Sequence, residues 1–216
     1  MARKIFCFFA RRRALCKTAR NEVSRNIRME IEAKIKLKDA SKLRSILKNA
    51  SAEFISKTLE KNWLFDHPER TLAKKDKLLR LRQDRNVYLT FKGPRQQSEY
   101  KIRQELHIQF PDAPSARSLL ESIGFRQWFY YEKIRETWRL DGCEIVLDEL
   151  PGLGLFVEIE AASDKEIETV RKRLKLSRDY INATYVELLQ NLSQESRKQW
   201  QFQFPDNHRS ALSASG

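Results

Sequence analysis

Apolar and polar residues alternate along the segment MEIEAKIKL, from Met29 to Leu37. A period of two is the pattern of a β-strand, in which successive side chains point to opposite faces. The segment is therefore predicted to be a strand with one apolar and one charged face. The charged face carries two acids and two bases, namely Glu30, Glu32, Lys34 and Lys36.

Seven further segments show strand patterns, which brings the predicted total to about eight strands. They are 53–66, 77–84, 86–94, 100–110, 125–140, 143–150 and 154–161. Apolar residues at helical spacing predict helices at 39–50, 111–124, 164–176 and 178–192. The Asp141-Gly142 pair is a tight hairpin signal between two strands. Most strands are therefore expected to be joined by hairpin-like connections, with helices inserted at three places.

The charges on the polar faces of these strands are grouped by sign. Acids cluster on the first and the last two strands, and bases cluster on the middle strands. For any single strand, the simplest interpretation is an ordinary amphipathic sheet with its charged face in water. A closed barrel is the other interpretation, because closure would bring the first strand beside late strands and set the carboxylates across a lumen from the bases. The apolar faces would then point outwards, where helices could cover them.

A lumen lined with both signs of charge needs a ligand that carries both signs, since burying unpaired charges costs free energy. Carboxylates offer the hard oxygen ligands that Mg²⁺ or Mn²⁺ prefers. Arg and Lys side chains suit a polyphosphate, to which Arg donates bidentate contacts. A metal ion that bridges carboxylates and phosphate oxygens is the arrangement that phosphoryl chemistry uses. The sequence contains no glycine-rich phosphate loop, so side chains would have to hold the phosphates.

The net charge of +13 is spread unevenly over the 216 residues. Residues 1–28 hold nine bases and one acid, so the body of the chain gives little support for nucleic-acid binding. Three interpretations of this extension stay open: a translated upstream stretch, an organellar targeting segment, or an arm that binds anions non-specifically. We expect the extension to be disordered, and residues 192–216 to form a disordered tail rich in Ser and Gln. Residues 29–191 are predicted to be one domain.

The three cysteines and three histidines are widely scattered, which argues against a zinc site and against a disulfide framework. Free, scattered thiols are typical of a reducing compartment, so we expect a cytoplasmic protein unless residues 1–28 direct it to an organelle. No apolar run approaches the roughly 18–20 residues that span a bilayer, so no membrane partner is expected.

The motif E-x-E-x-K at Glu30, Glu32 and Lys34 resembles the signature of the CYTH superfamily, also called triphosphate tunnel metalloenzymes. The resemblance continues in order through LRLR, LTFKGP, KIRQEL, EKIRETW, IVLDELPGLGLFVEIE and YVELL. Members of this superfamily share an eight-stranded antiparallel barrel that forms a tunnel. The resemblance therefore implies an α+β fold, in which a closed barrel of eight antiparallel strands has helices packed on its outside.

The resemblance also implies roles for individual residues. The metal-binding carboxylates, for Mg²⁺ or Mn²⁺, would be Glu30, Glu32, Asp148, Glu158 and Glu160. The triphosphate-binding cations would be Lys34, Arg80, Arg82, Lys92, Arg103, Lys133 and Arg135. The catalytic residues would be Lys34, Glu105 and Lys133. His107 departs from the family pattern R-x-E-x-E, so its role stays open between substrate choice and a polar position at the barrel mouth.

Three functions remain open for such a tunnel. The GP after Lys92 and the run LPGLGLFVEIE are most similar to the class IV adenylate cyclase branch, which implies conversion of ATP to cyclic AMP and pyrophosphate. The alternative enzyme is a triphosphatase that hydrolyses tripolyphosphate, a nucleoside triphosphate or thiamine triphosphate. The alternative of another class is a module that binds polyphosphate without turnover, but it would gain nothing from five carboxylates. A small triphosphate molecule is the expected partner in each case, nucleic acid is not, and a homodimer is compatible with the sequence.

Overall fold

The chain folds around one β-sheet, and the computed structural model describes residues 27–196 and 201–206. The strands in this part of the chain are β1 (Ile27–Leu37), β2 (Glu53–Asp66), β3 (Leu78–Gln83), β4 (Val87–Lys92), β5 (Lys101–Phe110), β6 (Arg126–Leu140), β7 (Cys143–Leu150), β8 (Gly154–Ala161) and β9 (Gln201–Phe202). The helices are α1 (Ser41–Asn49), α2 (Ala113–Ser122), α3 (Asp164–Arg173) and α4 (Tyr185–Ser196). One 3₁₀ turn covers Ala73–Lys75.

The first eight strands close into a barrel, as predicted. Their order is β2-β3-β4-β5-β1-β8-β7-β6, and β6 pairs back with β2 along most of its length. Every neighbouring pair in this ring is antiparallel. Because side chains alternate along each strand, closure places one face of every strand inside the barrel and the other outside.

The apolar face of the sheet points outwards and is covered by three helices. Leu47 of α1 and Ile167 of α3 are fully buried in one cluster with Ile145 of β7. Helix α2 buries Ala116 against a second cluster that includes Leu81 of β3. Each fully buried Leu or Ile side chain contributes about 1.5–3 kcal/mol, so these contacts hold the barrel together while its interior remains polar.

Helix α4 is placed differently, because it packs against inward-facing residues at one end of the barrel. Its buried Leu189 belongs to a cluster with Leu64 of β2, Phe129 of β6 and Phe156 of β8. All three strand residues point to the inner face of their strands, which is also the face that carries the charged side chains. Helices therefore pack around the barrel as expected, and α4 covers one of its ends.

Residues 178–184 are not helical, although the apolar spacing predicts a helix from residue 178. Tyr180 instead forms a bridge with Ile35 of β1, and the backbone N–H of Ile181 donates to the carbonyl oxygen of Lys34 at 2.8 Å. Tertiary pairing with β1 thus overrides the local helix pattern, and α4 begins only at Tyr185.

The predicted hairpin at Asp141-Gly142 joins β6 and β7, and both residues have positive φ values of 52° and 80°. That backbone conformation explains why Gly occupies the second position. Among the described residues, no helix is long and apolar enough to cross a membrane.

The predicted disordered tail begins at residue 192, but part of it carries structure. Helix α4 continues to Ser196, and β9 adds a short parallel strand beside Tyr130 and Tyr131 of β6. Phe204 is buried, and its N–H donates to Glu132 at 3.0 Å. The rest of the predicted tail and nearly all of the N-terminal extension lie outside the described residues.

Candidate active site

The inner face of the barrel encloses a cavity of about 240 Å³ that is lined by both signs of charge. The cations are Lys34, Arg80, Arg82, Lys92, Lys101, Arg103, Lys133 and Arg135. The acids are Glu30, Glu32, Glu105, Glu144, Glu158 and Glu160. This tunnel cavity therefore brings together every site residue predicted from the sequence except Asp148.

Asp148 lies behind the cavity lining, where it is fully buried. It accepts hydrogen bonds from Lys133 Nζ at 3.1 Å and from Arg135 Nε and Nη2 at 2.8 and 2.6 Å. Both carboxylate oxygens are used by these cations, so Asp148 fixes Lys133 and Arg135 in place instead of facing the cavity.

Glu60 completes this group of buried charges on β2, β6 and β7. Its carboxylate lies 3.3 Å from Lys133 Nζ and 3.8 Å from Arg135 Nε. Burial alone would raise the pKa of Glu60, but the charges of Lys133, Arg135 and Arg82 lower it to about 2. We call Glu60, Lys133, Arg135 and Asp148 the paired wall, because each charge in it faces a charge of opposite sign.

Lys34 of β1 lies at the centre of a second set of contacts. Its Nζ donates to the carbonyl oxygen of Ala183 at 3.0 Å and lies 3.3 Å from Glu158 and 3.4 Å from Glu32. The ammonium also lies over the Tyr185 ring, 4.2 Å from its centre. Burial alone would lower the pKa of Lys34, but Glu32 and Glu158 raise it, so the group remains charged.

Four acids meet on neighbouring strands and form what we call the carboxylate cluster: Glu30, Glu32, Glu144 and Glu160. Glu32 pairs with Glu160 across β1 and β8, and Glu160 pairs with Glu144 across β8 and β7. Burial raises the pKa of Glu160 well above its usual value, and the charges of Glu30 and Glu144 raise it further, with Arg135 opposing them. Burial likewise raises the pKa of Glu30, although Lys92 opposes this effect.

The carboxylate cluster offers the hard oxygen donors that Mg²⁺ and Mn²⁺ prefer. A nearby divalent cation would also remove the repulsion that raises the pKa of Glu160. In the arrangement described here, Glu32 accepts two hydrogen bonds from Lys101 Nζ, at 3.1 and 2.9 Å. No three acidic, His or Cys side chains of the described residues are grouped closely enough to enclose one ion. The cluster therefore has the donor type that such a metal ion prefers, and its side chains would have to reorient to enclose one.

Glu105 lies beside Glu30 of this cluster and contacts Lys92, which also donates to Glu30 at 3.1 Å. Burial alone would raise the pKa of Glu105, but Lys92 lowers it well below its usual value. His107 extends this group, with Nε2 lying 3.3 Å from Glu105 and Nδ1 lying 3.0 Å from the hydroxyl of Thr90. Its side chain is 38% exposed, which places it at the edge of the lining.

Three arginines of the lining have a buried Nε without a hydrogen-bond partner among the described residues: Arg80, Arg82 and Arg103. A buried donor without a partner costs about 1–3 kcal/mol. Phosphate oxygens accept hydrogen bonds from guanidinium groups in a bidentate geometry. These three donors therefore fit an anion with several phosphoryl groups.

Sequence reasoning missed Lys101 and Glu144 in the lining and Glu60 behind it. Strand alternation could have found Lys101, which lies two positions before Arg103, and Glu144, which shares a face with Asp148. Glu60 is harder to find, because its segment mixes polar and apolar residues on both faces.

Known proteins resemble this chain in both sequence and structure. The CYTH domain profile matches residues 28–185. A protein of Methanocaldococcus jannaschii named as a candidate adenylate cyclase is 32% identical over 171 residues, a match that covers 74% of this chain and 98% of that protein. The structure of a candidate adenylate cyclase from Vibrio parahaemolyticus is 25% identical with a TM-score of 0.67, and covers 76% of this chain and 98% of that one.

A third comparison concerns a Hippeastrum protein named as a candidate adenylyl cyclase and described as having a dominant triphosphatase activity. It is 18% identical with a TM-score of 0.56, and covers 79% of this chain and 97% of that one. At that identity the likeness shows the shared fold alone. The family profile, in contrast, spans most of the chain and includes all the strands of the closed barrel. This chain belongs to the CYTH domain family.

Proposed function

We propose that this chain is a metal-dependent enzyme that acts on a triphosphate held in the tunnel cavity. The observation that carries this proposal is that one cavity holds both arginines whose Nε has no hydrogen-bond partner among the described residues and acids whose repulsion raises the pKa of Glu160. A triphosphate supplies acceptors for the donors, and Mg²⁺ or Mn²⁺ supplies positive charge for the carboxylates. Either ligand alone would satisfy only one of the two groups.

In this proposal the triphosphate is bound by the cations that line the cavity. They are Lys34, Arg80, Arg82, Lys92, Arg103, Lys133 and Arg135, together with Lys101, which was not among the site residues predicted from the sequence. Lys34 and Lys133 also have the proposed catalytic role, because ammonium groups fixed by Glu158 and Asp148 stabilise charge that develops on a transferring phosphoryl group.

The proposed metal ligands are Glu30, Glu32, Glu158 and Glu160, with Glu144 added from the structure. Asp148 is assigned to positioning Lys133 and Arg135, since its oxygens are already used. When bound, the metal ion would neutralise phosphate charge and polarise the phosphorus that is attacked. Glu105 remains ionised and is a weak proton acceptor, so we assign it to holding Lys92 in place.

Two reactions fit this site. In a cyclase, the ribose 3′-hydroxyl of ATP attacks the α-phosphorus and pyrophosphate leaves. In a triphosphatase, water attacks the terminal phosphorus. The relatives named as adenylate cyclases favour the first reaction, whereas the Hippeastrum protein shows that a barrel of this fold can carry out the second. Binding without turnover is disfavoured, because a module that only binds anions has no use for the carboxylate cluster.

Product analysis would test the proposal. The protein is incubated separately with ATP, tripolyphosphate and thiamine triphosphate, with and without Mg²⁺, and the products are identified. Cyclic AMP with pyrophosphate indicates a cyclase, and orthophosphate release indicates a triphosphatase. Absence of turnover on all three, with the metal present, would contradict the proposal.

The same assay tests the metal ligands. Glu160→Gln should lower turnover by roughly two orders of magnitude while the protein remains folded, because an amide replaces a hard anionic ligand at nearly constant volume. Glu53→Gln is the matched control, since Glu53 lies on the outer surface with its side chain 65% exposed. Wild-type turnover in Glu160→Gln at low Mg²⁺ would show that the metal assignment is wrong.

We also propose a cytoplasmic location, supported by the scattered cysteines alone.

A further inference from the structure

We call residues 178–184 the strap, because this segment crosses β1 beyond the end of β5. The pairing of β5 with β1 stops at Glu32, whereas β8 follows the other edge of β1 to Leu37. The strap takes the remaining edge of β1 through the bridge between Tyr180 and Ile35. It begins at an exposed position and ends at the tunnel cavity, which its last residue lines.

The strap contacts Lys34 at two points. The carbonyl oxygen of Lys34 accepts a hydrogen bond from the N–H of Ile181 at 2.8 Å, and Nζ of Lys34 donates to the carbonyl oxygen of Ala183 at 3.0 Å. The aromatic ring beside the same ammonium belongs to Tyr185, the first residue after the strap. Because both the backbone and the side chain of Lys34 contact this short segment, a shift of the strap along β1 would move the ammonium within the tunnel.

The outer end of the strap is held by Glu168 of α3, a helix that packs on the outside of the barrel. The carboxylate of Glu168 accepts hydrogen bonds from the hydroxyl of Tyr180 and, at 3.1 Å, from the hydroxyl of Tyr100. Arg171 donates to it from Nε and Nη2, at 3.2 and 3.0 Å. The hydrogen bonds from Arg171 and Tyr180 lower the pKa of Glu168 to about 2, so the carboxylate is ionised at neutral pH.

The two tyrosines that donate to Glu168 provide an internal comparison. Both hydroxyls donate to the same oxygen, Oε1, and the two rings lie 5.3 Å apart. Tyr180 belongs to the strap, whereas Tyr100 directly precedes β5. If Glu168 only held the surface together, the loss of either hydroxyl should have the same effect. If Glu168 fixes the strap, the loss of the Tyr180 hydroxyl alone should reach Lys34.

We infer that Glu168 is a positioning residue, which sets the position of the Lys34 ammonium in the tunnel through the hydroxyl of Tyr180 and the strap. A carboxylate outside the tunnel thereby controls a group inside it. The expected effect on turnover rests on the proposed function, in which Lys34 stabilises charge on the transferring phosphoryl group. The expected effect on Lys34 itself does not depend on that function.

Acetylation of Lys34 by acetic anhydride tests the position of the ammonium without any substrate. The Lys34 side chain is 1% exposed, so its reaction in the wild type should be slow. Tyr180→Phe keeps the ring and removes the hydroxyl, and Glu168→Gln removes the charge. Each should raise the acetylation rate by about tenfold, the size expected when one hydrogen bond to a charged group is lost from a segment that opens locally. Tyr100→Phe is the matched control and should leave the rate unchanged. Rates are measured by mass spectrometry on the full chain.

Turnover gives the second measurement, with ATP or tripolyphosphate as the substrate. Tyr180→Phe and Glu168→Gln should each lower kcat by roughly tenfold and leave KM within about twofold, because a displaced ammonium affects the transition state more than it affects binding by the remaining cations. Tyr100→Phe should behave as the wild type. The double variant should lose no more than either single variant, because both substitutions break the same contact.

An unchanged acetylation rate in Tyr180→Phe, or equal increases in Tyr180→Phe and Tyr100→Phe, would overturn the inference. Faster acetylation of Lys34 with an unchanged kcat would overturn the assignment of Glu168 as a positioning residue for the reaction. Wild-type protein that converts neither substrate would contradict the proposed function, and the acetylation rates would still decide whether Glu168 positions Lys34.

Discussion

The paired wall and the carboxylate cluster contain the same kinds of residue, yet their electrostatic environments are opposite. In the paired wall, the cations around Glu60 lower its pKa to about 2, and Asp148 is shared by two cations. In the carboxylate cluster, burial and neighbouring acids raise the pKa of Glu160 well above its usual value. Every acid of the paired wall is balanced by a cation, whereas in the carboxylate cluster Lys92 and Lys101 pair with Glu30 and Glu32 and the charge of Glu160 remains opposed by its neighbours.

This difference separates acids that hold neighbouring cations in place from acids whose charge suits a metal ion. Charges that are balanced within the protein gain little from a ligand, whereas removing one of them leaves a buried partner without compensation. Charges that repel one another destabilise the fold and are relieved by a cation. We therefore expect substitutions of the acids in the paired wall to lower stability, and substitutions in the carboxylate cluster to affect function more than stability.

The largest effect on stability should come from Asp148→Asn. The variant removes the buried carboxylate that Lys133 and Arg135 share and leaves Glu60 to balance both of them within the wall, and breaking a buried pair typically costs about 3–5 kcal/mol. The free energy of unfolding, measured with urea at neutral pH, should fall by that amount. Asp179→Asn, at an exposed position, should change it by less than about 0.5 kcal/mol. An Asp148→Asn variant as stable as the wild type would remove the distinction between the two regions.

The next effect concerns acid unfolding and Glu60. Its folded pKa of about 2 lies below its ordinary value of 4.5, so its contribution is present above about pH 4.5 and is lost as the pH falls towards 2. That contribution amounts to roughly 3 kcal/mol, at 1.36 kcal/mol for each pKa unit. The difference in unfolding free energy between the wild type and Glu60→Gln should therefore shrink between pH 5 and pH 2. Curves that stay parallel over this range would show that Glu60 is not stabilised by the wall.

Much of this comparison could be predicted from the sequence, because strand alternation decides which side chains share a face. The alternation from Met29 to Leu37 correctly places Glu30, Glu32 and Lys34 inside the barrel. It also groups acids on β1 and β8, which pair in the structure. The face of a strand to which a side chain points depends only on its position along that strand, so the alternation predicts it without knowledge of the fold.

The features that the sequence could not predict depend on how deeply a side chain is buried and on pairing between segments that lie far apart in the chain. Asp148 has the same face as Glu144, yet it is buried behind Lys133 while Glu144 lines the cavity. The helix pattern from residue 178 fails because the backbone there pairs with β1, a contact that no local period reveals. The opposite pKa shifts of Glu60 and Glu160 likewise arise from neighbours on other strands.

Ligand binding gives a third prediction. Tripolyphosphate should raise the melting temperature by several degrees, since a ligand at a hundredfold excess over Kd stabilises the folded state by about 2.7 kcal/mol. Orthophosphate at equal concentration should do much less, because it reaches fewer of the lining cations. Arg80→Ala should reduce the shift by removing a donor that has no hydrogen-bond partner in the described part of the chain. Arg85→Ala, at an exposed position beyond β3, should not. Equal shifts from the two anions would mean that the charged faces bind anions as ordinary surface does.

The smallest effect should come from Glu144→Gln, and its sign is opposite to that of Asp148→Asn. Glu144 pairs with Glu160 across β7 and β8 and adds to the repulsion that raises the pKa of Glu160. Removing its charge should raise the unfolding free energy in metal-free buffer by up to about 1 kcal/mol, a typical size for one partly exposed charge pair. Addition of Mg²⁺ should stabilise the wild type more than the variant, because the variant offers one carboxylate fewer. A variant less stable than the wild type without metal would mean that Glu144 is balanced by cations, and the carboxylate cluster would then resemble the paired wall.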